Sequence, residues 1–432
     1  MKLLPVSLFL AAALLSFPSV AVQKSPLDAA ERLFDAAIDA DVGRSAGIYH
    51  HYEYEAVHDE PPPPGYRPFY ISHYGRHGSR YQICESNIQV CAVMKEAEKA
   101  GILTDSGKEL LRCLRVLDVA HQGMFECLSV RGADEHKRLA QRMYNRFPEV
   151  FSGKGFVCCQ STTRHRCLMS MANFSSSLKG AAPQLSFEFM TGERCMKWLR
   201  NPTFHCNVRH ADVVKMEDEL LGKMVNPTRL TRLLFTDSPE TDRVVVSPHR
   251  FVLTLFETAS AYQSLERELD GMSIYDFFTR DELQALARVK NCRYYAGMGN
   301  SAEFGDKLTR IAKPLARDFV VRADEALRNG GVCANLRFGH DAMLLPFAGL
   351  VGLEGSGNRA PAAESWRHCP IWKYMPMAAN IQIVFYRKDG GDVIVKVLYN
   401  ELETAVRGID PCFGTYYRWS DFREHLSRLS AD

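Results

Sequence analysis

A chain of 432 residues is long enough for two or three domains' worth of core, and its apolar and charged fractions, 46% and 24%, are ordinary for a globular protein. The formal net charge of +2 excludes a bulk-basic nucleic-acid binder, so an anionic partner would need a local patch. Lys2, the apolar stretch Leu3 to Leu15 and the small-x-small site Ser19-Val20-Ala21 read as a secretory signal over residues 1–21, its apolar stretch of about thirteen residues being too short to span a bilayer. The mature protein is expected to be exported, to the periplasm or beyond the cell, and to have no membrane attachment once the signal is removed. Thirteen cysteines in an exported chain permit disulfides, and their odd total leaves at least one thiol unpaired. Neither Cys158-Cys159 nor Cys206 with His210 has paired zinc spacing, so no metal is expected.

Ser25-Pro26-Leu27-Asp28 looks like a helix start, followed by the apolar stripe Leu33, Phe34, Ala37 and Ile38. Pro61 to Pro64 form an extended lead into a strand-favouring run, Phe69 to Tyr74, that stops at Gly75. Residues 85–150 read as helical. Ser106 and Glu109 form a capping box, Arg131-Gly132 precedes a second helix, and Pro148 ends it. Phe156 to Cys159 is a short strand, and a helix carrying Ser161, Arg166, Ser170 and Phe174 follows. From about Arg194 to Lys313, helical segments are broken by Pro202, Pro227 and Pro239. Leu336 to Asp341 repeats the opening theme of strand, glycine and reactive side chains. A helix from Met343 to Leu353 comes next, with Pro346 near its first turn. Ile381–Tyr386 and Val393–Leu398 pair as a hairpin across Asp389-Gly390-Gly391. The expected fold is α/β, a mainly parallel sheet flanked by helices, with an inserted, mostly α-helical cap. The expected boundaries are 22–190 and 320–432 for the core and 191–319 for the cap.

Arg76-His77-Gly78-Ser79-Arg80 is the stretch around which the chain is organised. In an open α/β sheet, ligands sit beyond the carboxyl ends of the strands. There Gly78 lets backbone approach a ligand, two guanidiniums match phosphate oxygens, and the imidazole can act as a nucleophile near neutral pH. Arg166 and the pair His340-Asp341 stand at the ends of two other expected strands. Together they supply what phosphoryl transfer needs. His77 attacks phosphorus; Arg76, Arg80, Arg166 and His340 bind the phosphate; Asp341 protonates the leaving oxygen and later activates water. No cofactor is required. There is no G-x-S-x-G elbow and no G-x-x-x-x-G-K-[ST] loop.

Arg76 to Arg80 resembles the RHGxR signature of the histidine acid phosphatases, the larger branch of the histidine phosphatase superfamily. Ser161-x4-Arg166-x3-Ser170-x3-Phe174 and Phe338-Gly339-His340-Asp341 match the family's third-arginine and proton-donor segments. Arg164-His165-Arg166-Cys167 is similar to the multiple inositol polyphosphate phosphatases, which act on phytate and its breakdown products. Those enzymes usually carry His-Ala-Glu as donor motif, whereas His340-Asp341-Ala342 is similar to the form in phytases and glucose-1-phosphatases. The resemblance implies an exported, metal-independent phosphomonoesterase working through phosphohistidine on inositol polyphosphates such as phytate. A sugar-phosphate or broad-specificity acid phosphatase is the alternative. A phosphotransferase and a non-enzymatic binder of anionic ligands are the rivals from other classes; a pure binder would need the arginines but not Asp341.

Overall fold

The computed structural model describes residues 26–57, 59–84, 89–200, 208–267, 269 and 272–431. The expected secretory signal, residues 1–21, and Ser25, Pro202 and Cys206 lie outside the described residues. Among the described residues, eight strands form one sheet: β1 (Arg67–Arg76), β2 (Phe156–Ser161), β3 (Ser186–Thr191), β4 (Val332–Gly339), β5 (Asn380–Arg387), β6 (Ile394–Tyr399), β7 (Leu402–Glu403) and β8 (Tyr416–Arg418). Their order is β3-β2-β4-β1-β5-β6-β7, with β8 also paired to β6. β3, β2, β4 and β1 run parallel, and the expected hairpin, β5 and β6, adds antiparallel to β1. β1 and β4 are buried along nearly their whole length, as strands covered on both faces must be.

The pleat sends alternate residues of β1 into two cores. Tyr70 and Tyr74 join the layer built from the helices Lys313–Asn329, Asp341–Val351 and Trp419–Ser430. Ile71, with Leu336 and Phe338 of β4, packs on the opposite face against the helices Val130–Arg146 and His165–Ala181. A third core is all-helical. It joins Phe34 and Ile38, the helices Val90–Lys99 and Asp105–His121, and Pro248–Tyr262 with part of Arg280–Met298. The helical layer therefore draws on residues before β2 as well as on the stretch between β3 and β4.

Local signals were displaced where a neighbouring group competed. The helix Asp105–His121 begins at Asp105, because the Thr104 hydroxyl accepts from Gly107 N; Ser106 lies inside the helix. The Ser129 hydroxyl caps the next helix, so Arg131 and Gly132 fall in its first turn. Ser161 closes β2 and is not helical. Pro346 lies inside a helix that starts at Asp341, beyond its first turn. No disulfide joins any two of the twelve described cysteines. No described helix is long and apolar enough to cross a membrane.

Candidate active site

Parallel register brings the three motifs level. Arg76 pairs with Gly339 and Ser161 with Phe338, so β1, β4 and β2 end side by side. His77 N donates to Gly339 O at 3.0 Å and Thr162 N to Phe338 O at 3.1 Å, which extends the ladder into the loops. Beyond these ends, His77, Arg80, Arg166, His340 and Asp341 line one cavity of about 570 Å³. Arg76, fully buried, is not among the lining residues and reaches the cavity through its pairing with Asp341.

Each group is held by identifiable partners. His77 is 2% exposed, and its Nδ1 lies 2.9 Å from Gly78 O. A carbonyl only accepts, so Nδ1 carries the proton and Nε2 keeps its lone pair. Burial, and then Arg166, Arg76 and Arg80, hold the His77 imidazole well below its ordinary value. The ring is therefore neutral. Arg76 Nη1 donates to Ile48 O (2.6 Å) and Met375 O (2.9 Å), while Nη2 lies 2.8 Å from Asp341 Oδ2 without hydrogen-bond alignment. Arg80 donates to Tyr81 O at 2.8 Å and stacks over Tyr49. Arg166 pairs with Glu126 at 3.2 Å. The Nε groups of all three arginines are buried without a hydrogen-bond partner, so each has a donor to offer an anion.

His340 N accepts nothing and donates to the Tyr74 hydroxyl at 3.0 Å; its Nε2 meets Thr162 Oγ1 at 3.2 Å. Its ring centroid stands 5.6 Å from that of His77. Burial, then Arg166, keeps His340 well below the usual imidazole range. Asp341 opens its helix, its Oδ1 accepting from Ala342 N at 2.8 Å. Burial works to raise its pKa, but Arg76, His340 and Arg80 together outweigh burial and hold it below the ordinary carboxylate value.

Two glycines let the loop after His77 touch the helix Val130–Arg146. A Cβ on Gly78 would meet Gly132 O at 2.5 Å, and one on Gly132 would meet Ser79 O at 2.1 Å. The loop is anchored further by Glu135, which accepts from Ser79 N (2.7 Å) and Ser79 Oγ (2.8 Å), and by Ser170 Oγ, which accepts from Gly78 N at 3.1 Å. Gly132 and Glu135 were not legible as site residues; their only sequence signal is membership of the helix after the cap. His73, four residues before His77, packs on Phe174 and Phe338 within the sheet. Arg164, Arg200, His210 and Arg293 complete a basic rim, opposed in the lining by Glu126 and Asp341.

No family model and no curated protein matches this chain. Solved structures do. A Bifidobacterium longum multiple inositol polyphosphate phosphatase, in complex with inositol hexasulfate, shares 19% identity over 89% of this chain and 97% of its own, with a TM-score of 0.76. The phytase from D. castellii shares 15% identity over 91% and 86%, at a TM-score of 0.67. The Hafnia alvei phytase apo form shares 12% over 85% and 98%, at 0.53. The chain has the fold of these phosphatases. The mainly parallel sheet flanked by helices, expected from the sequence, is this phosphatase fold, and the motifs that carried the resemblance stand at the strand ends.

Proposed function

We propose that the chain is a histidine-type acid phosphatase acting on inositol polyphosphates. The observation that carries this reading is the neutral His77 imidazole, its Nε2 open, set among three arginines with a carboxyl group across the same cavity. His77 Nε2 attacks phosphorus, the P–O ester bond breaks, and the leaving oxygen takes a proton from Asp341. Water then attacks the phosphohistidine and gives its proton to the Asp341 carboxylate; the P–N bond breaks and inorganic phosphate leaves. Arg76, Arg80 and Arg166, with His340, neutralise the phosphoryl oxygens, a role that requires no metal.

Pairing with Arg76 leaves Asp341 ionised in the free site above its lowered pKa. A bound phosphate dianion competes for the same guanidinium, which raises the affinity of the carboxyl for a proton. The proton can also arrive on the substrate, whose second phosphate ionisation lies near about 6. Either route favours acidic conditions.

Two features support a polyphosphorylated substrate. The rim residues Arg164, Arg200, His210 and Arg293 add cationic or hydrogen-bonding groups beyond those needed for one phosphate. The cavity of about 570 Å³ also lies within the range for small-molecule sites, roughly 300–1,000 Å³. The structural relatives named as phytase or inositol polyphosphate phosphatase point the same way. The reading includes export, which the pattern of Lys2, the apolar stretch Leu3 to Leu15 and Ser19-Val20-Ala21 supports. The test is phosphate release from phytate, a sugar phosphate and an aryl phosphate by the wild type and His77→Ala. Release fastest from phytate and abolished by the substitution is expected. Retained turnover in the variant removes the mechanism; a preference for sugar phosphate removes only the substrate assignment.

A further inference from the structure

Away from the phosphate cavity, the segment after the helix Pro26–Ala40 gathers metal-type ligands. Asp41, His50, His51 and Glu53 each offer one ligating atom, and these atoms all lie within 4.8 Å of one another. Gln263, from the helical layer, backs both imidazoles. Its Nε2 donates to Gly43 O (3.1 Å) and meets the Tyr275 hydroxyl (3.2 Å), which fixes the amide orientation. Gln263 Oε1 therefore faces His50 Nδ1 at 3.2 Å and His51 Nδ1 at 3.3 Å. A carbonyl oxygen holding the second nitrogen of a ring is the usual outer-shell partner of a metal-ligating histidine.

His50 supplies the second, independent observation. It is fully buried, and its Nε2 stands 3.2 Å from Glu53 Oε1 yet makes no hydrogen bond. Both of its ring nitrogens thus face oxygen acceptors, whereas a neutral imidazole has only one N–H. A second proton on the ring would satisfy both acceptors, and so would a cation shared with the carboxylate; the second imidazole and second carboxylate gathered beside them favour the cation. Arg44 also pairs with Glu53, Nη2 to Oε2 at 3.1 Å and Nε to Oε1 at 3.2 Å, but each carboxylate oxygen has a second lone pair.

We propose that Asp41, His50, His51 and Glu53 form a structural zinc site. Two imidazoles with two carboxylates suit zinc, whereas calcium and magnesium prefer all-oxygen sets. Tetrahedral bonds of about 2.0–2.1 Å place ligand atoms roughly 3.3 Å apart. The cluster would contract by no more than about 1.5 Å per pair, within reach of side-chain rotation. The site would clamp a segment that reaches the active site: Ile48 O holds Arg76, Tyr49 lies under Arg80, and His50 O accepts from Met377 N at 2.8 Å. The metal takes no part in the phosphoryl chemistry. It positions the carbonyl that orients Arg76.

The experiment uses the full chain, zinc titration by calorimetry, thermal unfolding, and the visible spectrum after cobalt substitution. One zinc per chain is expected, with a rise in unfolding midpoint of about 3 °C at a hundredfold excess over Kd. Cobalt should show tetrahedral bands without thiolate charge transfer, which separates this site from the chain's cysteines. Asp41→Asn keeps the hydrogen bond from Gly43 N and so the local fold; it and His51→Ala should each weaken zinc binding at least tenfold while unfolding near the wild-type temperature without metal. Wild-type protein that binds no zinc, a thiolate spectrum, or variants that bind as tightly as wild type would overturn the proposal.

Discussion

Gly132→Ala places one methyl group between the loop that carries His77 and the helix beneath it. The new Cβ would sit 2.1 Å from Ser79 O and 2.7 Å from Ser79 N, where ordinary contact begins at 3.4 Å. Both obstacles are backbone atoms, so neither can rotate away. Ser79 O also accepts from Ser129 N at 2.9 Å, and Ser79 N donates to Glu135 at 2.7 Å, so the loop is held against the helix on both sides of the clash. Relief requires the loop carrying His77 and Arg80 to lift by about 1 Å. A displacement of that size at a reacting centre costs on the order of 100-fold in rate. Overpacking should also cost about 1–3 kcal/mol of stability. The assay is kcat and KM on an aryl phosphate beside thermal unfolding. A Gly132→Ala enzyme with kcat within about twofold of wild type and an unchanged midpoint would refute the claim that this contact sets the position of His77.

Asp341→Asn should lower kcat by about 10²–10⁴-fold on phytate, whose alkoxide leaving groups need a proton, and far less on an aryl phosphate with a good leaving group; equal losses on both would contradict the acid role. Arg293→Ala should raise KM for phytate several-fold with little change for an aryl phosphate, since Arg293 stands on the rim; equal effects on the two substrates would count against polyphosphate recognition. His73 and His136 are buried, and burial lowers each from 6.5 to about 3, so unfolding takes up protons as pH falls through 6.5. Stability from these groups is full above pH 6.5 and lost progressively down to about 3, about 2 kcal/mol per histidine at pH 5. Urea midpoints at pH 7 and 5 check this, and equal midpoints would contradict it.

What could be read from the residues alone was the part dictated by short-range chemistry. Gly78, the Asp389-Gly390 turn and the apolar run of β1 marked strands and breaks because local geometry demands them, whereas Gly75, read as a break, is paired inside β1 with Phe338 and Asn380. His77, Arg80, Arg166, His340 and Asp341 shared a residue pattern, and parallel register brought them to one cavity. The groups that hold them were harder to see. Glu135 is an acidic residue on an amphipathic helix until the fold buries it under Ser79. Arg200 and Arg293 resemble any surface arginine until the helical layer turns them over the pocket. β3 was missed because Ser186–Thr191 is an exposed edge, so burial leaves no strong apolar pattern there. The Asp41–Glu53 cluster escaped a search based on cysteine spacing because its donors are nitrogen and oxygen.

The central claim is that His77 carries the phosphoryl group. Mixing enzyme with a phosphomonoester, quenching within milliseconds into base, and mapping phosphate by mass spectrometry tests it directly. The account predicts phosphate on the His77 imidazole, more of it in Asp341→Asn supplied with an aryl phosphate, and none in His77→Ala. Turnover with no covalent phosphate, or phosphate on any other residue, would contradict it.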